Sequence, residues 1–186
     1  MSTSNNLPEI IGIAGSGSAG QDTLAHHLVK KYGYTQASTS DMLRKISMVQ
    51  YGNTERPTLQ IVGPAVRAER GAGALVIEGL QEPRPTVITS IRTLGEAKEL
   101  KKAGGILMFV DAEPRLRYER MVKRARDGEV NETFEKFMET TLKEQYAGPG
   151  DAEYNLRDVK AMADMVIDNN GTKDEFLAYA IEKLSS

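Results

Sequence analysis

The chain has 186 residues, 40% hydrophobic and 27% charged, with a net charge of −2; that suits one domain with a proper core and lacks the basic excess of a nonspecific nucleic-acid binder. There is no cysteine, which removes disulfides, thiolate zinc sites and cysteine nucleophiles. The two histidines, His26 and His27, are adjacent on a predicted helix, so they point in different directions and do not form a metal pair.

The head of the chain is polar, with neither a basic nor an apolar signal-peptide region. No apolar run approaches the roughly 18 to 20 residues that span a bilayer. The expectation is a cytoplasmic protein without a membrane or nucleic-acid partner, either a monomer or a homodimer.

Short apolar runs alternate with segments of helical period, which predicts βαβ units and a mostly parallel sheet. Residues 10–14 form a buried first strand ending at Gly15. Leu24, Leu28 and Val29 then recur at helical spacing up to Gly33, a helix stop. Residues 34–39 read as a second strand, and Thr39 or Ser40 as the N-cap of a helix carrying Met42, Leu43 and Ile46. A further helix covers about 58–70, with Pro64 against it. Residues 71–91 are ambiguous: Leu75, Val76 and Ile77 suit a strand, but residues 86–91, after Pro83-Arg84-Pro85, suit one better. A helix over 94–103 closes at Gly104-Gly105, and residues 106–111 are a continuous apolar run ending in an acid. A charged stretch from Pro114 to Tyr146 reads as two helices broken near Gly128. A loop at 147–151, a strand at 165–168 and a helix at 173–184 complete an α/β chain of five strands. It reads as a single domain over 1–186, with a lid insertion at about 115–150.

Gly15-Ser16-Gly17-Ser18-Ala19-Gly20 lies between the first strand and a helix. That context aims backbone N–H groups, and the positive end of a helix dipole, at one point where phosphate is the expected guest. Two motifs compete for these residues. As G-x-G-x-x-G they match a dinucleotide fingerprint, with Asp41 about twenty residues on. As G-x-x-x-x-G-K-[ST], Gly15 and Gly20 match, but Gln21 replaces the lysine and Asp22 the hydroxyl residue, with Thr23 next. The long helix before the second strand, the short chain and the downstream arginines favour the second reading.

Beyond the loop, the order of elements resembles the nucleotide-kinase branch of P-loop proteins, in particular the dephospho-CoA kinase-like and nucleoside monophosphate kinase-like families. The run Ile10-Ile11-Gly12-Ile13-Ala14-Gly15 and the loop through Thr23 resemble their glycine loop. Ser38-Thr39-Ser40-Asp41-Met42-Leu43-Arg44 is similar to the acceptor segment of adenylate kinases, which have glycine in place of Ser40. Val87-Ile88-Thr89-Ser90-Ile91-Arg92, followed by Gly95-Glu96, resembles their strand and arginine turn. Val110-Asp111-Ala112, leading into Arg117, Arg120, Arg124 and Arg126, resembles the lid entry. The run from Ala163 to Thr172 resembles the last strand and the loop near the adenine. The resemblance implies a three-layer P-loop fold with a helical lid, and ATP and Mg2+ as cofactors of a kinase acting on a small nucleotide acceptor.

Phosphoryl transfer needs the phosphates held in line and the charge on the transferring group neutralised. The loop residues Gly15 to Thr23 would hold the donor's phosphates, and Asp22 is the candidate for magnesium. Arg92 stands at the carboxyl end of a predicted strand, where open α/β sheets gather ligands. Arg117, Arg120 and Arg124 are spaced three and four apart, so they share a helical face that could close over a polyphosphate. Asp41 is a candidate for the acceptor's proton, its base or magnesium, and Arg44 and Arg67 for the acceptor's phosphate. At Gln21 an amide offers only a neutral hydrogen bond where the family has a charge. Three readings stand: a kinase for a nucleoside monophosphate or dephospho-CoA, a catalytically silent nucleotide-binding module, and a small NAD(P)-binding protein.

Overall fold

The computed structural model describes residues 6–124 and 133–186. In chain order the elements are β1 (Ile10–Gly15), α1 (Gln21–Tyr32), β2 (Thr35–Ser38), α2 (Thr39–Tyr51), α3 (Arg56–Arg70), α4 (Ala74–Gly79), β3 (Thr86–Ile91), α5 (Leu94–Lys102), β4 (Ile106–Asp111), α6 (Pro114–Arg124), α7 (Phe134–Gln145), α8 (Leu156–Met162), β5 (Met165–Asp168) and α9 (Lys173–Leu184). The strands make one sheet in the order β2-β3-β1-β4-β5, and every neighbouring pair is parallel.

β1 is central and buried along its whole length, as its unbroken apolar run demands of a parallel strand covered on both faces. Its side chains divide by the period of two. Ile11 and Ile13 face a core shared with Leu24 and Leu28 of α1 and with Phe176, Leu177 and Ala180 of α9. Ile10 and Ala14 face the opposite core, with Val76 of α4, Leu100 of α5 and Val159 of α8. Helices thus cover both faces, giving three layers. Each fully buried leucine contributes about 1.5–3 kcal/mol of burial. A smaller cluster, Leu43, Val62, Val66 and Leu75, joins α2, α3 and α4 at one end of the sheet.

Several sequence expectations are corrected. Of the two strand candidates within 71–91, residues 86–91, the better one, form β3, while Leu75, Val76 and Ile77 belong to α4; a three-residue apolar run has no period to tell strand from helix. α2 starts earlier than expected: Ser38 is the N-cap, its hydroxyl accepting from the Asp41 amide. α3 continues through Pro64, and Gln60, whose carbonyl lacks a helical donor there, is exposed. α8 was not anticipated, and the expected break at Gly128 lies outside the described residues. The strand order also speaks against the dinucleotide fold, in which β2 lies beside β1; here β3 separates them.

Candidate active site

Gly15 and Gly20 shape the loop between β1 and α1. Gly15 has φ 154°, and a Cβ there would stand 2.1 Å from the Val110 carbonyl oxygen, so a side chain does not fit beside β4. Gly20, at φ 117°, is the N-cap of α1 and provides no side-chain cap. The first-turn amides of Gln21, Asp22 and Thr23 are therefore presented to a ligand at the positive end of the helix. Ser18 is left-handed at φ 63°, the backbone alternation that forms anion nests.

The loop's carbonyls are held by side chains. Gln21 Nε2 donates to Ser16 O at 2.8 Å, Arg117 Nη1 to Gly17 O at 3.3 Å, and Asn169 Nδ2 to Ala19 O at 2.7 Å. Arg120 adds a long bond to Ala19 O and a 2.9 Å bond to Asn169 O. Gripping the carbonyls in this way favours N–H groups on the concave side, the lining an oxyanion needs. Gln21 thus acts differently from a lysine: its Oε1 accepts from the Gly20 amide at 3.1 Å, so both ends of the amide brace the loop.

The expected guanidinium row divides. Arg117 is buried, donates to Ala112 O as well and lies 5.3 Å from the Phe137 ring centre. Arg120 and Arg124 line the cleft beside the loop. Burial lowers the pKa of Arg117 and of Arg120 from the ordinary guanidinium value, yet arginine stays protonated in proteins. Arg126 lies outside the described residues. Beneath the loop, Asp111 at the end of β4 accepts from Lys160 Nζ at 2.8 Å and from the Ser16 side chain.

Across the cleft, the start of α2 carries a hydroxyl network. Ser40 Oγ lies 3.1 Å from the hydroxyls of Ser38 and Ser90 and accepts from Arg44 Nη1 at 3.1 Å. Ser90 has φ 66°, at the register shift between β1 and β3; such a bulge re-aims a side chain at a strand end. Asp41, expected in the site, is 63% exposed and pairs with Arg44 at 2.6 Å. Arg67 is fully buried against Glu96, and its Nη1 has no hydrogen-bond partner. Arg92 pairs with Glu144 of α7 at 2.9 Å. The Glu144 charge, outweighing burial, raises the Arg92 pKa, helped by Tyr154 and by the Glu144 hydrogen bond. The Tyr154 ring lies beside both guanidiniums, 5.3 Å from Arg67 and 5.9 Å from Arg92.

One cleft of about 870 Å³ is lined by Gly15, Gly17, Ser18, Gly20, Gln21, Asp22 and Thr23 on the loop side and by Arg44, Arg67, Arg92, Arg120 and Arg124 around it. Ser16, Ala19, Asp41 and Arg117 stand back from it. Sequence reasoning did not single out Glu144, Tyr154 or the carbonyl-gripping Asn169. Glu144 and Tyr154 sit far along the chain from Arg92, and no local pattern announces them.

No protein-family model matches the chain. A UPF0200 protein of Sulfurisphaera tokodaii is 31% identical over 183 residues, covering 96% of this chain and 97% of that protein. Human adenylate kinase isoenzyme 1 is 28% identical over 154 residues, covering 73% of this chain and 76% of that protein. Among solved structures, shikimate kinase from Acinetobacter baumannii in complex with shikimate superposes with a TM-score of 0.60 at 18% identity, covering 95% of this chain and 92% of that one; at that identity the likeness shows a shared fold. Identity with the S. tokodaii protein over nearly the full length of both chains shows that this chain belongs to the UPF0200 family.

Proposed function

We propose that the protein is an ATP- and Mg2+-dependent kinase that transfers a phosphoryl group to a nucleotide-like small molecule, a nucleoside monophosphate or dephospho-CoA. The observation that carries this reading is a phosphate loop with externally gripped carbonyls, facing Arg44, Arg67 and Arg92 in one cleft. Similarity to adenylate kinase and the fold shared with shikimate kinase support it. The protein would act in the cytoplasm.

The residues present fit a polyphosphate. The loop and the first turn of α1 supply amides, and Arg120, Arg124 and Lys173 line the cleft beside them. Bound ATP would supply the phosphoryl group. Among the described residues no group of three or more His, Asp or Glu side chains could hold a metal ion. Asp22 is then a single carboxylate for Mg2+, which commonly relies on one or two carboxylates together with substrate phosphates. Arg92, at the end of β3, would steady the transferring group.

One observation favours a second reading, a nucleotide-binding module with little catalysis: the Gln21 amide is used within the loop and adds no charge. ADP formation from MgATP, with a panel of nucleoside monophosphates and dephospho-CoA, separates the two. Turnover with one acceptor, lost in Arg92→Ala, supports the kinase. Silence across the panel with MgATP still bound by calorimetry leaves the binding module.

A further inference from the structure

Arg67 carries an open donor deep in the cleft wall. Its Nη2 and Nε donate to Glu96 Oε1 at 2.8 and 3.1 Å, but Nη1 has no hydrogen-bond partner, although the residue is only 2% exposed. Burying an N–H without a partner is costly, so such a group in a folded protein asks for an explanation. A guest that brings an acceptor atom to Nη1 supplies one.

The surroundings are shaped around that donor. Leu59, Gly63 and Arg67 recur at four-residue intervals along α3 and so share one face. A Cβ on Gly63 would stand 3.0 Å from Arg67 Nη1, 3.4 Å from the Tyr154 hydroxyl oxygen and 3.6 Å from Leu43 Cδ1. The glycine leaves room beside the guanidinium where any other residue would crowd it. Leu43, Leu59, Arg67 and Tyr154 all line the cleft. This corner thus combines two leucines, an aromatic ring and polar atoms at one edge, which suits a flat ring with an oxygen on its rim.

Arg67 differs here from Arg44 and Arg92, whose side chains are 31% and 25% exposed and accessible to a phosphate. It offers a single N–H, and Glu96 matches its charge at 2.8 Å. A phosphate, with several oxygens and up to two charges, calls for more than that; one carbonyl oxygen does not. The Tyr154 ring lies 5.3 Å from Arg67 and 5.9 Å from Arg92. Both guanidiniums are therefore within the span of one nucleotide, with its phosphate at Arg92 and its base at Arg67.

Resting on the reading of this side of the cleft as the acceptor's, we propose that Arg67 is a specificity-determining residue whose Nη1 donates to a keto oxygen of the acceptor's base. The protein then takes nucleoside monophosphates of hypoxanthine, guanine or uracil in preference to those of adenine or cytosine. A guanidinium only donates. The amino groups that adenine and cytosine carry in place of that oxygen donate as well, so two N–H groups would face one another at Arg67.

The test compares pairs that differ at that position: inosine against adenosine monophosphate, and uridine against cytidine monophosphate. Each is titrated by calorimetry into the wild-type protein with MgADP present, and each is assayed for ADP formation from MgATP. The keto member of a pair should bind about 10- to 100-fold more tightly than the amino member, and kcat/KM should follow the same order. Arg67→Met combined with Glu96→Gln, which replaces the buried pair by neutral groups, should bring the two members together. Gly63→Ala, which crowds Nη1, should weaken the keto member more than the amino one. Equal affinity within each pair, preference for the amino member, or no binding of any of the four overturns this inference; ADP formation with any acceptor would then still leave the kinase reading intact. Tighter binding of the keto member without ADP formation upholds the inference and sinks the kinase reading instead. The wild-type comparison needs no variant, so it decides the matter even if the double variant fails to fold.

Discussion

Arg67 and Glu96 meet inside the protein, Nη2 to Oε1 at 2.8 Å, with side chains 1% and 0% exposed. Glu96 also accepts from the Arg92 amide through Oε2 at 2.8 Å, so one carboxylate ties α3 to the turn that carries Arg92. Removing one member of a buried pair leaves a charge without compensation, at a cost of about 3–5 kcal/mol. Glu96→Ala should therefore lose about that much stability in urea unfolding, and it should also impair ligand binding at Arg92. A loss below about 1 kcal/mol would show the pair to be dispensable.

Gln21→Lys would exchange two loop-bracing hydrogen bonds for a cation at the phosphates. Charge-assisted bonds are about twice as strong as neutral ones, so MgATP affinity by calorimetry should rise by about tenfold, equivalent to 1.4 kcal/mol. The thermal midpoint should fall slightly as the bonds to Ser16 O and from the Gly20 amide are lost. Unchanged affinity would mean that the side chain at this position does not reach the phosphates.

Ser90 holds a left-handed φ of 66°, a conformation costing a residue with a Cβ about 1–2 kcal/mol. Ser90→Gly should fold at least as well as the wild type despite losing the contact to Ser40 Oγ. Ser90→Val should lower the thermal midpoint markedly, because a β-branched side chain is poorly tolerated there. Equal midpoints for the two variants would contradict the strain.

Much of this architecture was legible because its signals are local. The runs that became β1, β3 and β4 are continuous and apolar, as strands covered on both faces must be. The glycine loop declared itself by sitting between strand and helix. α4 was ambiguous for want of a period, and α8, seven residues long, was too short to show one. The site was less legible because its decisive pairs are distant in sequence. Arg92 can be singled out from its place at a strand end, but nothing near Glu144 marks it as that arginine's partner. The helical spacing of Arg117, Arg120 and Arg124 was sound, yet it could not show that Arg117 turns under the loop to grip Gly17 O.

Acid should weaken the fold through Asp111 and Asp164. Burial alone would raise the Asp111 pKa, but hydrogen bonds from Lys160 and Ser16, the Lys160 charge and the Ala112 amide hold it below the ordinary value of 3.8. Asp164 is likewise opposed by burial and held down by Lys101 and the Leu107 amide. A carboxyl lowered in the folded state contributes stability that is complete above its unfolded pKa and is lost as pH falls through the folded one. Unfolding free energy should therefore drop below about pH 4, and the drop should be shallower in Asp111→Asn and in Asp164→Asn. An identical slope in both variants would remove these two groups as the cause.

The proposed transfer of a phosphoryl group from ATP to a small acceptor in this cleft is open to direct observation. The most direct measurement is 31P NMR of MgATP incubated with the protein and the pooled nucleoside monophosphates and dephospho-CoA. The expected result is loss of the γ-phosphate resonance, matched by ADP and by one new phosphate signal that requires an acceptor and is absent with Arg92→Ala. An unchanged spectrum, or release of inorganic phosphate alone whatever acceptor is added, would contradict it.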